Sequence, residues 1–256
     1  MNVHDKSALV SGGASGLGQA VVEKLLENGA HVVIADRDAE KGNALVETLA
    51  GQPVEFVRTD VTSEPSVYKA VETALRRNRQ LDVLVNCAGI AVAEKIVGKK
   101  GVHGLDVFAQ VIQVNLVGTF NTLRLASEAM VHNKPGEDGE RGVIINTASV
   151  AAFEGQIGQA AYAASKGGVA GLTLPAAREL ARHGIRVVAI APGLFETPLL
   201  ASIPEPARQA LGESIPYPSR LGHAEEYAAL VQHVIENRYL NGEVIRLDGA
   251  LRMAPR

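Results

Sequence analysis

Apolar runs and helix-like repeats alternate along almost the whole chain. Short segments rich in apolar residues predict strands at residues 7–11, 31–36, 54–58, 81–86, 143–146, 186–191 and 243–247, and within the fourth of these Val83, Leu84 and Val85 form a continuous apolar run. Apolar residues three and four apart predict helices at residues 17–28, 39–50, 64–78, 105–130 and 160–180. Unbroken apolar strands are typical of a parallel sheet that helices cover on both faces. The pattern therefore predicts an α/β fold, a single doubly wound Rossmann domain over residues 1–256.

Two segments and one residue interrupt the alternation of predicted strands and helices. Residues 94–104, which include Lys95, Lys99 and Lys100, are longer than the turn that the fold needs there. Residues 193–222 are rich in proline and partly apolar. Long loops in compact domains are usually functional, so we predict a substrate lid at about residues 193–222. Pro175 lies inside a helical pattern and predicts a kink or a restart of that helix.

Composition narrows the class of protein. With 46% apolar and 21% charged residues the chain can bury a full core, and its net charge of −3 gives no attraction to nucleic acid or anionic membranes. No apolar run approaches the roughly 20 residues of a membrane span. The single cysteine excludes an intrachain disulfide, and the histidines lack zinc-site spacing, so no metal is expected. The N-terminus leaves no room for a cleavable signal peptide, and we expect a cytoplasmic protein.

A glycine-rich turn joins the first predicted strand to the first helix. Gly12, Gly16 and Gly18 would let the backbone approach a pyrophosphate at the helix N-terminus. Asp36 ends the second strand, where a carboxylate accepts hydrogen bonds from the adenosine ribose and repels a 2′-phosphate. These residues predict a dinucleotide site that favours NAD over NADP. Arg37 could contact a phosphate, although a solvated loop arginine is the simpler interpretation.

Two further strand ends complete the predicted cofactor site. Asp60 and Val61 follow the third strand and would lie beside the adenine, although Asp60 could equally support the start of the next helix. The segment from Asn86 to Gly89 ends the fourth strand with small residues that allow close approach of the cofactor. Its Cys87 could be a nucleophile, but a small residue packed against the dinucleotide is the favoured interpretation.

The candidate catalytic group is Tyr162, Lys166 and Ser149. Tyr162 and Lys166 are four residues apart and project from the same face of a helix. The lysine charge should favour the phenolate and lower the pKa of Tyr162, and the Ser149 hydroxyl follows an apolar strand nearby. Beside a dinucleotide site, these groups predict reversible hydride transfer between an alcohol and a carbonyl, with Ser149 and Tyr162 contacting the substrate.

The ordered set of motifs resembles the short-chain dehydrogenase/reductase family over essentially the whole chain. The resemblance implies that Tyr162 is the general acid/base, that Lys166 lowers its pKa and holds the nicotinamide ribose, that Ser149 binds the substrate oxygen and that Asn115 supports a water relay. The cofactor contacts it implies, together with the motif residues, are Gly12, Ser15, Gly16, Leu17, Gly18, Asp36, Asp60, Val61, Asn86, Cys87, Ala88, Gly89, Tyr162, Lys166, Pro192, Gly193, Phe195 and Thr197.

The segments 141–168, 190–200 and 240–253 are similar to the 3-hydroxyacyl-CoA dehydrogenases of type 2, also called 17β-hydroxysteroid dehydrogenases of type 10. This narrower resemblance implies an NAD-dependent homotetramer that acts on short-chain 3-hydroxyacyl-CoA, in the mitochondrial matrix if the source is eukaryotic. The lysines of residues 94–104 could meet coenzyme A phosphates or could be a solvated cluster. The effect of Glu196, a charge on the predicted lid, stays open.

Other functions remain alternatives at this point. A 3-oxoacyl-carrier-protein reductase usually prefers NADPH, which Asp36 disfavours. A steroid or other secondary-alcohol dehydrogenase could use the same apolar loop. A dinucleotide-binding scaffold without catalysis would be expected to lack a catalytic residue, and none is lost.

Overall fold

A seven-stranded parallel sheet forms the centre of the molecule. The computed structural model describes residues 1–99, 101–198 and 204–255. Its strands are β1 Ser7–Ser11, β2 His31–Asp36, β3 Val54–Arg58, β4 Val83–Asn86, β5 Val97–Gly98, β6 Gly101–Val102, β7 Gly142–Thr147, β8 Ile185–Pro192 and β9 Val244–Leu247. The sheet order is β3-β2-β1-β4-β7-β8-β9, and β5 and β6 form a separate antiparallel pair.

Helices cover both faces of this sheet. They are α1 Gly16–Glu27, α2 Ala39–Thr48, α3 Glu64–Leu75, α4 Leu105–Ile112, α5 Gly118–Met130, α6 Ala160–Leu180, α7 Glu205–Glu213 and α8 Ala224–Glu236. One apolar core packs α1, α2 and α8 on one face, and a second packs α3, α5 and α6 on the other. The predicted doubly wound α/β fold is therefore confirmed.

The strand order reverses next to β1, and this reversal fixes where a ligand can bind. From β1 the chain adds β2 and β3 on one side and then crosses to β4 on the other. The loops that leave β1 and β4 therefore diverge, which opens a crevice at the carboxyl ends of these strands. Both strands are buried along their whole length, as unbroken apolar runs require.

The predicted helix at 105–130 is interrupted. Between α4 and α5 the chain forms one π-helical turn, Gln113–Val117, with Ile112 and Gly118 in ordinary right-handed conformation on either side. π turns insert an extra residue into a helix and occur frequently at functional sites. Helical periodicity carries no signal for such an insertion, because the apolar pattern continues through it.

The expectation that the helix restarts at Pro175 is wrong. Helix α6 runs without a break from Ala160 to Leu180 and contains Pro175 on its exposed side. Proline removes one backbone hydrogen bond, here the bond to the Gly171 carbonyl. Val169, Thr173 and Ala177 are buried on the opposite side of the helix, and their packing maintains it despite that loss.

The segment 193–222 is anchored at both of its ends. Phe195 pairs with Gly222, the Glu196 amide donates to the Gly222 carbonyl and the Gly222 amide donates to Leu194. Helix α7 lies within the segment, and residues 199–203 of the predicted lid lie outside the described residues. The assignment as a lid stays a prediction. In the described part of the chain, no helix combines the length and hydropathy needed to cross a bilayer.

Replacing Pro175 by alanine should stabilise the protein. The variant restores the amide that can donate to the Gly171 carbonyl, and we expect the free energy of unfolding to rise by about 2 kcal/mol in urea denaturation. Arg178→Ala, at an exposed position of the same helix, is the control and should change stability by less than about 0.5 kcal/mol. Equal stabilities for Pro175→Ala and the parent would contradict this account of α6.

Candidate active site

A cleft of about 490 Å³ opens at the carboxyl ends of the strands, beside the point where the strand order reverses. The predicted cofactor and catalytic residues that line it are Gly12, Ser15, Gly16, Leu17, Gly18, Asp36, Asp60, Val61, Cys87, Ala88, Gly89, Tyr162, Lys166 and Thr197. Residues from six separate parts of the sequence thus meet in one cleft of the size expected for a cofactor site.

The glycine turn is required by close backbone contacts. Gly12 and Gly16 have positive φ angles of 66° and 54°, which other residues rarely adopt. A Cβ atom on Gly12 would lie 2.6 Å from the Ala88 amide nitrogen, and one on Gly18 would collide with the Gly12 carbonyl. The turn therefore forms a bare backbone surface at the N-terminus of α1, where anions are stabilised.

Backbone amides hold the Asp36 carboxylate at the end of β2. One oxygen accepts from the Ala14 amide at 3.1 Å and the other from the Asp38 amide at 3.0 Å. Each carboxylate oxygen can accept a second hydrogen bond, so Asp36 can still bind hydroxyl groups in the cleft. Arg37 is solvent-exposed and also lines the cleft, so both interpretations of this arginine agree with its position.

The position of Asp60 is compatible with both roles that the sequence left open, and its place beside an adenine stays a prediction. Its carboxylate accepts from the Thr62 hydroxyl at 2.7 Å and the Thr62 amide at 2.9 Å, and these hydrogen bonds lower its pKa. Asp60 also lines the cleft, next to Val61. The Val61 side chain packs against Gly118, where a Cβ atom would lie only 2.6 Å from it. Asp60 therefore orders the chain before α3 and presents a carboxylate to the cleft.

Lys166 is almost fully buried and its ammonium donates to the Thr147 carbonyl at 2.7 Å. Burial lowers the pKa of Lys166 to about 8. Its Nζ atom lies 5.9 Å from the centre of the Tyr162 ring, and both side chains leave the same face of α6. An ammonium has three donors, so two remain for groups that enter the cleft.

The expectation that Lys166 lowers the pKa of Tyr162 is wrong for the protein alone. Burial raises the pKa of Tyr162, and a hydrogen bond from Ser149 only partly opposes it. The reason is burial: the phenol loses solvation, and this penalty on its charged form outweighs the hydrogen bond from Ser149. Ser149 is itself buried and accepts from the Ala151 amide at 3.1 Å.

Asn115 lies in the π turn, and its side chain is fully bonded. The carboxamide oxygen accepts from the Ile90 amide at 2.8 Å, and the nitrogen donates to the Ile90 carbonyl at 2.9 Å and to the Ser165 hydroxyl at 3.0 Å. Asn115 therefore fixes the chain just after Gly89. Gly89 itself lies close to Lys166, since a Cβ atom on this glycine would be 3.6 Å from the lysine nitrogen. Its part in a water relay stays a prediction.

Four residues with predicted cofactor contacts do not line the cleft: Asn86, Pro192, Gly193 and Phe195. Asn86 is buried and accepts from Ser11 and Thr122 while it donates to Asn146. Phe195 is buried against Gly222, and Gly193 packs against Asp248. These contacts give Asn86, Gly193 and Phe195 structural roles, and their contacts with a cofactor stay predictions.

The nucleophile alternative for Cys87 receives no support. Burial raises the pKa of its thiol, with Thr147 hydrogen bonding as a smaller opposing effect, and a nucleophilic cysteine needs a thiolate. Among the described residues no group of histidine, cysteine and carboxylate side chains could hold a metal ion.

Part of the cleft wall comes from residues that were not predicted from the sequence, namely Ala35, Thr59, Ile90, Gln110, Val114, Thr147 and Pro198. Thr147 is the most important of them because its carbonyl holds Lys166. A signal was available, since Thr147 ends a parallel strand, and the carboxyl ends of such strands face the ligand. Gln110 and Val114 gave no signal, because their position depends on how α4 and the π turn pack.

A second cavity of about 380 Å³ lies beside the N-terminal turn of α6. Its walls come from the start of β5 and the two residues before it, Lys95, Ile96 and Val97, and from the chain that leads into α6, with Gln156, Ile157 and Gln159. The Glu94 amide donates to the Gly158 carbonyl and connects the two walls. Ile96 and Val97 are strongly exposed, so this cavity has an apolar surface open to solvent.

The fold and cleft define a dinucleotide-dependent oxidoreductase, and comparison with known proteins specifies the family. Residues 6–208 match the family model of short chain dehydrogenases. The chain belongs to the short-chain dehydrogenase family and is an NAD(P)-dependent oxidoreductase.

The similar proteins include several that are called 3-hydroxyacyl-CoA dehydrogenase type-2. The chain is 56% identical to 3-hydroxyacyl-CoA dehydrogenase type-2 of Drosophila melanogaster over 97% of its length and 98% of that protein. It is 56% identical to the Homo sapiens protein of the same name, over 97% of this chain and 95% of that protein. A crystal structure of 3-hydroxyacyl-CoA dehydrogenase type-2 from Mycobacterium avium superposes with a TM-score of 0.94 at 48% identity, covering 98% of this chain and 97% of that one.

Replacing Lys166 by methionine should change how stability depends on pH. The pKa of Lys166 is about 8 when folded and 10.5 in its ordinary environment, so between these pH values the unfolded chain binds more protons. The parent should therefore gain stability as pH rises through this window, by at most about 3 kcal/mol, and Lys166→Met should lack this gain in urea denaturation from pH 7 to 10.5.

Lys69→Met is the matched control, because Lys69 is an exposed lysine on α3. It should keep the gain in stability with pH. A gain of the same size in Lys166→Met would show that Lys166 does not carry a buried charge.

Proposed function

We propose that this protein is an NAD-dependent oxidoreductase that interconverts short-chain 3-hydroxyacyl-CoA and 3-oxoacyl-CoA, with Tyr162, Lys166, Ser149 and Asn115 as its site residues. The observation that carries the proposal is the placement of Tyr162 and Lys166 in the same cleft as Asp36. The cleft thus combines proton-transfer groups with a carboxylate suited to a ribose diol.

The residues present fit NAD. The bare backbone at Gly12 and Gly18 accommodates a pyrophosphate, which the N-terminus of α1 would stabilise. Asp36 retains acceptor capacity for the adenosine ribose, and its charge disfavours the 2′-phosphate of NADP. Lys166 has two donors left for the nicotinamide ribose. When bound, the cofactor would supply the hydride acceptor for alcohol oxidation.

In this mechanism Tyr162 takes the hydroxyl proton of the substrate during oxidation and returns it during reduction. Burial keeps Tyr162 protonated in the protein alone, so deprotonation needs additional positive charge nearby. The Lys166 ammonium is the buried cation closest to it along α6. Ser149 donates to the substrate oxygen as charge develops there, and such preorganised donors supply a large part of catalysis.

The substrate assignment depends on the relatives and on the second cavity. The two relatives that are 56% identical over nearly the whole chain are both called 3-hydroxyacyl-CoA dehydrogenase type-2. The second cavity has Ile96, Val97 and Ile157 for a short acyl chain, and Lys95 for a phosphate of coenzyme A. Apolar and cationic groups in one cavity suit an acyl-CoA better than a neutral steroid.

Assembly and location belong to the same proposal. Three apolar side chains are exposed on this part of the surface: Val117 in the π turn, Phe120 on α5 and Leu174 on α6. Such groups on neighbouring helices support association with further copies of the chain, and we propose a homotetramer in the cytoplasm, or in the mitochondrial matrix of a eukaryote.

Tyr162→Phe should abolish turnover and retain cofactor binding. With acetoacetyl-CoA and NADH we expect kcat to fall by at least about 100-fold, because the proton donor is removed. NADH binding, followed by the fluorescence of the nicotinamide, should change little. Tyr68→Phe is the control, since Tyr68 is exposed on α3 and distant from the cleft.

The substrate class is tested by comparing the turnover of different substrates by the parent enzyme in the same assay. Turnover of acetoacetyl-CoA that exceeds turnover of the acyl-carrier-protein thioester and of steroid ketones supports the acyl-CoA assignment. No turnover of acetoacetyl-CoA with either NADH or NADPH would exclude it. Full activity of Tyr162→Phe would remove Tyr162 from the mechanism.

Asp36→Ser should weaken the preference for NADH over NADPH. Removing the carboxylate ends its repulsion of the 2′-phosphate, and we expect the ratio of kcat/KM values to fall by roughly 30-fold or more. Asp38→Asn removes the same charge nearby, at an N-cap outside the cleft wall, and should leave the ratio unchanged. Equal changes of this ratio in the two variants would show that the preference depends on the net negative charge of this region and not on Asp36 in particular.

A further inference from the structure

A buried tyrosine from the far end of the chain reaches the active-site strand. Tyr227 on α8 is completely buried, and its hydroxyl oxygen lies 2.7 Å from the Thr147 hydroxyl oxygen. Helix α8 packs on the face of the sheet opposite α6, which carries Lys166. Tyr227 does not line the cleft, so the proposed mechanism gives it no direct part.

The directions of these hydrogen bonds follow from the types of atoms. The Thr147 hydroxyl lies 2.5 Å from the Asn86 carbonyl oxygen, which can only accept. Thr147 has one hydroxyl hydrogen and must donate it there. The Tyr227 hydroxyl therefore donates to Thr147. The chain of bonds runs from α8 through the end of β7 to the end of β4.

The same Thr147 also holds Lys166. Its side chain points to the face of α8, whereas its carbonyl accepts from the Lys166 ammonium at 2.7 Å. With its hydroxyl bonded on both sides, Thr147 cannot rotate without breaking a buried hydrogen bond. The carbonyl that receives the lysine is consequently fixed from the opposite face of the sheet.

We propose that Tyr227 is a positioning residue for the active site: through Thr147 it fixes the carbonyl that orients the Lys166 ammonium. Tyr227 touches neither substrate nor cofactor in this proposal. The titratable groups that face Lys166 are Tyr162 on α6 and Cys87 after β4. The consequence for catalysis rests on the proposed function, while the positioning of Lys166 can be tested without it.

The first experiment follows Lys166 directly in the cofactor-free protein. The side-chain ε-carbon resonances of labelled lysines are titrated by NMR, and Lys166→Met assigns the resonance of Lys166. Tyr227→Phe should lower the midpoint of the Lys166 titration, because a loosened Thr147 carbonyl stabilises the ammonium less. An unchanged midpoint would overturn the proposal, whether or not the protein is a 3-hydroxyacyl-CoA dehydrogenase.

The second experiment measures the pH dependence of kcat/KM for alcohol oxidation. A displaced Lys166 charge favours the Tyr162 phenolate less, so the acid side of the profile should move to higher pH. We expect about half a pH unit in Tyr227→Phe, a fraction of the one to three units that a well-placed opposite charge produces.

Matched variants separate positioning from general loss of stability. Val231→Ala creates a cavity in the same helix, at a buried residue outside the hydrogen-bond chain, and should lower Tm without moving either titration. Thr147→Val should shift both titrations as Tyr227→Phe does, whereas Thr147→Ser, which keeps the hydroxyl, should leave them as in the parent. Combining Thr147→Val with Tyr227→Phe should shift them little further than Thr147→Val alone, because both changes break the same hydrogen bond.

The combined outcomes distinguish this proposal from the proposed function. An inactive parent whose Lys166 titration still responds to Tyr227→Phe would exclude the function and retain the positioning role. An active parent in which Tyr227→Phe behaves like Val231→Ala would retain the function and exclude the positioning role.

Discussion

The hydrogen bond from the buried Lys166 ammonium to the Thr147 carbonyl is the interaction on which the candidate site depends. A buried cation is costly unless a polar partner receives it, and here the partner is a backbone oxygen at the end of a central strand. Thr147 pairs with Ile190 of β8 alone, and the hydrogen bonds of its hydroxyl to Asn86 and Tyr227 hold its carbonyl in place on the side of β4. The lysine can therefore remain charged near neutral pH while its pKa is lowered to about 8.

The rest of the cleft follows from the same sheet. Reversal of the strand order beside β1 separates the loops after β1 and β4, and the glycine turn and the segment after Asn86 fill that opening. Asn86 connects Ser11, Thr122 and Asn146 through its side chain, so buried hydrogen bonds join the carboxyl ends of β1, β4 and β7 behind the cleft. These bonds hold the strand ends, and therefore the residues that line the cleft, in a fixed arrangement.

Sequence reasoning succeeded where function depends on local chemistry. The glycine turn, Asp36 after β2 and the one-turn spacing of Tyr162 and Lys166 all depend on residues close together in the chain, and each was found in the cleft. It failed where packing decides. Pro175 continues a helix because the buried side of α6 compensates for one lost bond, and the π turn at Asn115 leaves no trace in the apolar pattern. The pKa of Tyr162 also differs from expectation, because burial outweighs the neighbouring charge.

The sequence by itself determined the α/β architecture, the strand and helix order and the residue types of the cofactor and proton-transfer groups. Periodicity and short spacings are local properties, and a local pattern is enough to express them. Only the tertiary structure decided which atoms meet: the Thr147 carbonyl with Lys166, and Tyr227 with Thr147 across 80 residues of chain. The physical reason is that the desolvation and hydrogen-bond partners of a buried group depend on strands and helices that are distant in the sequence and adjacent only after folding.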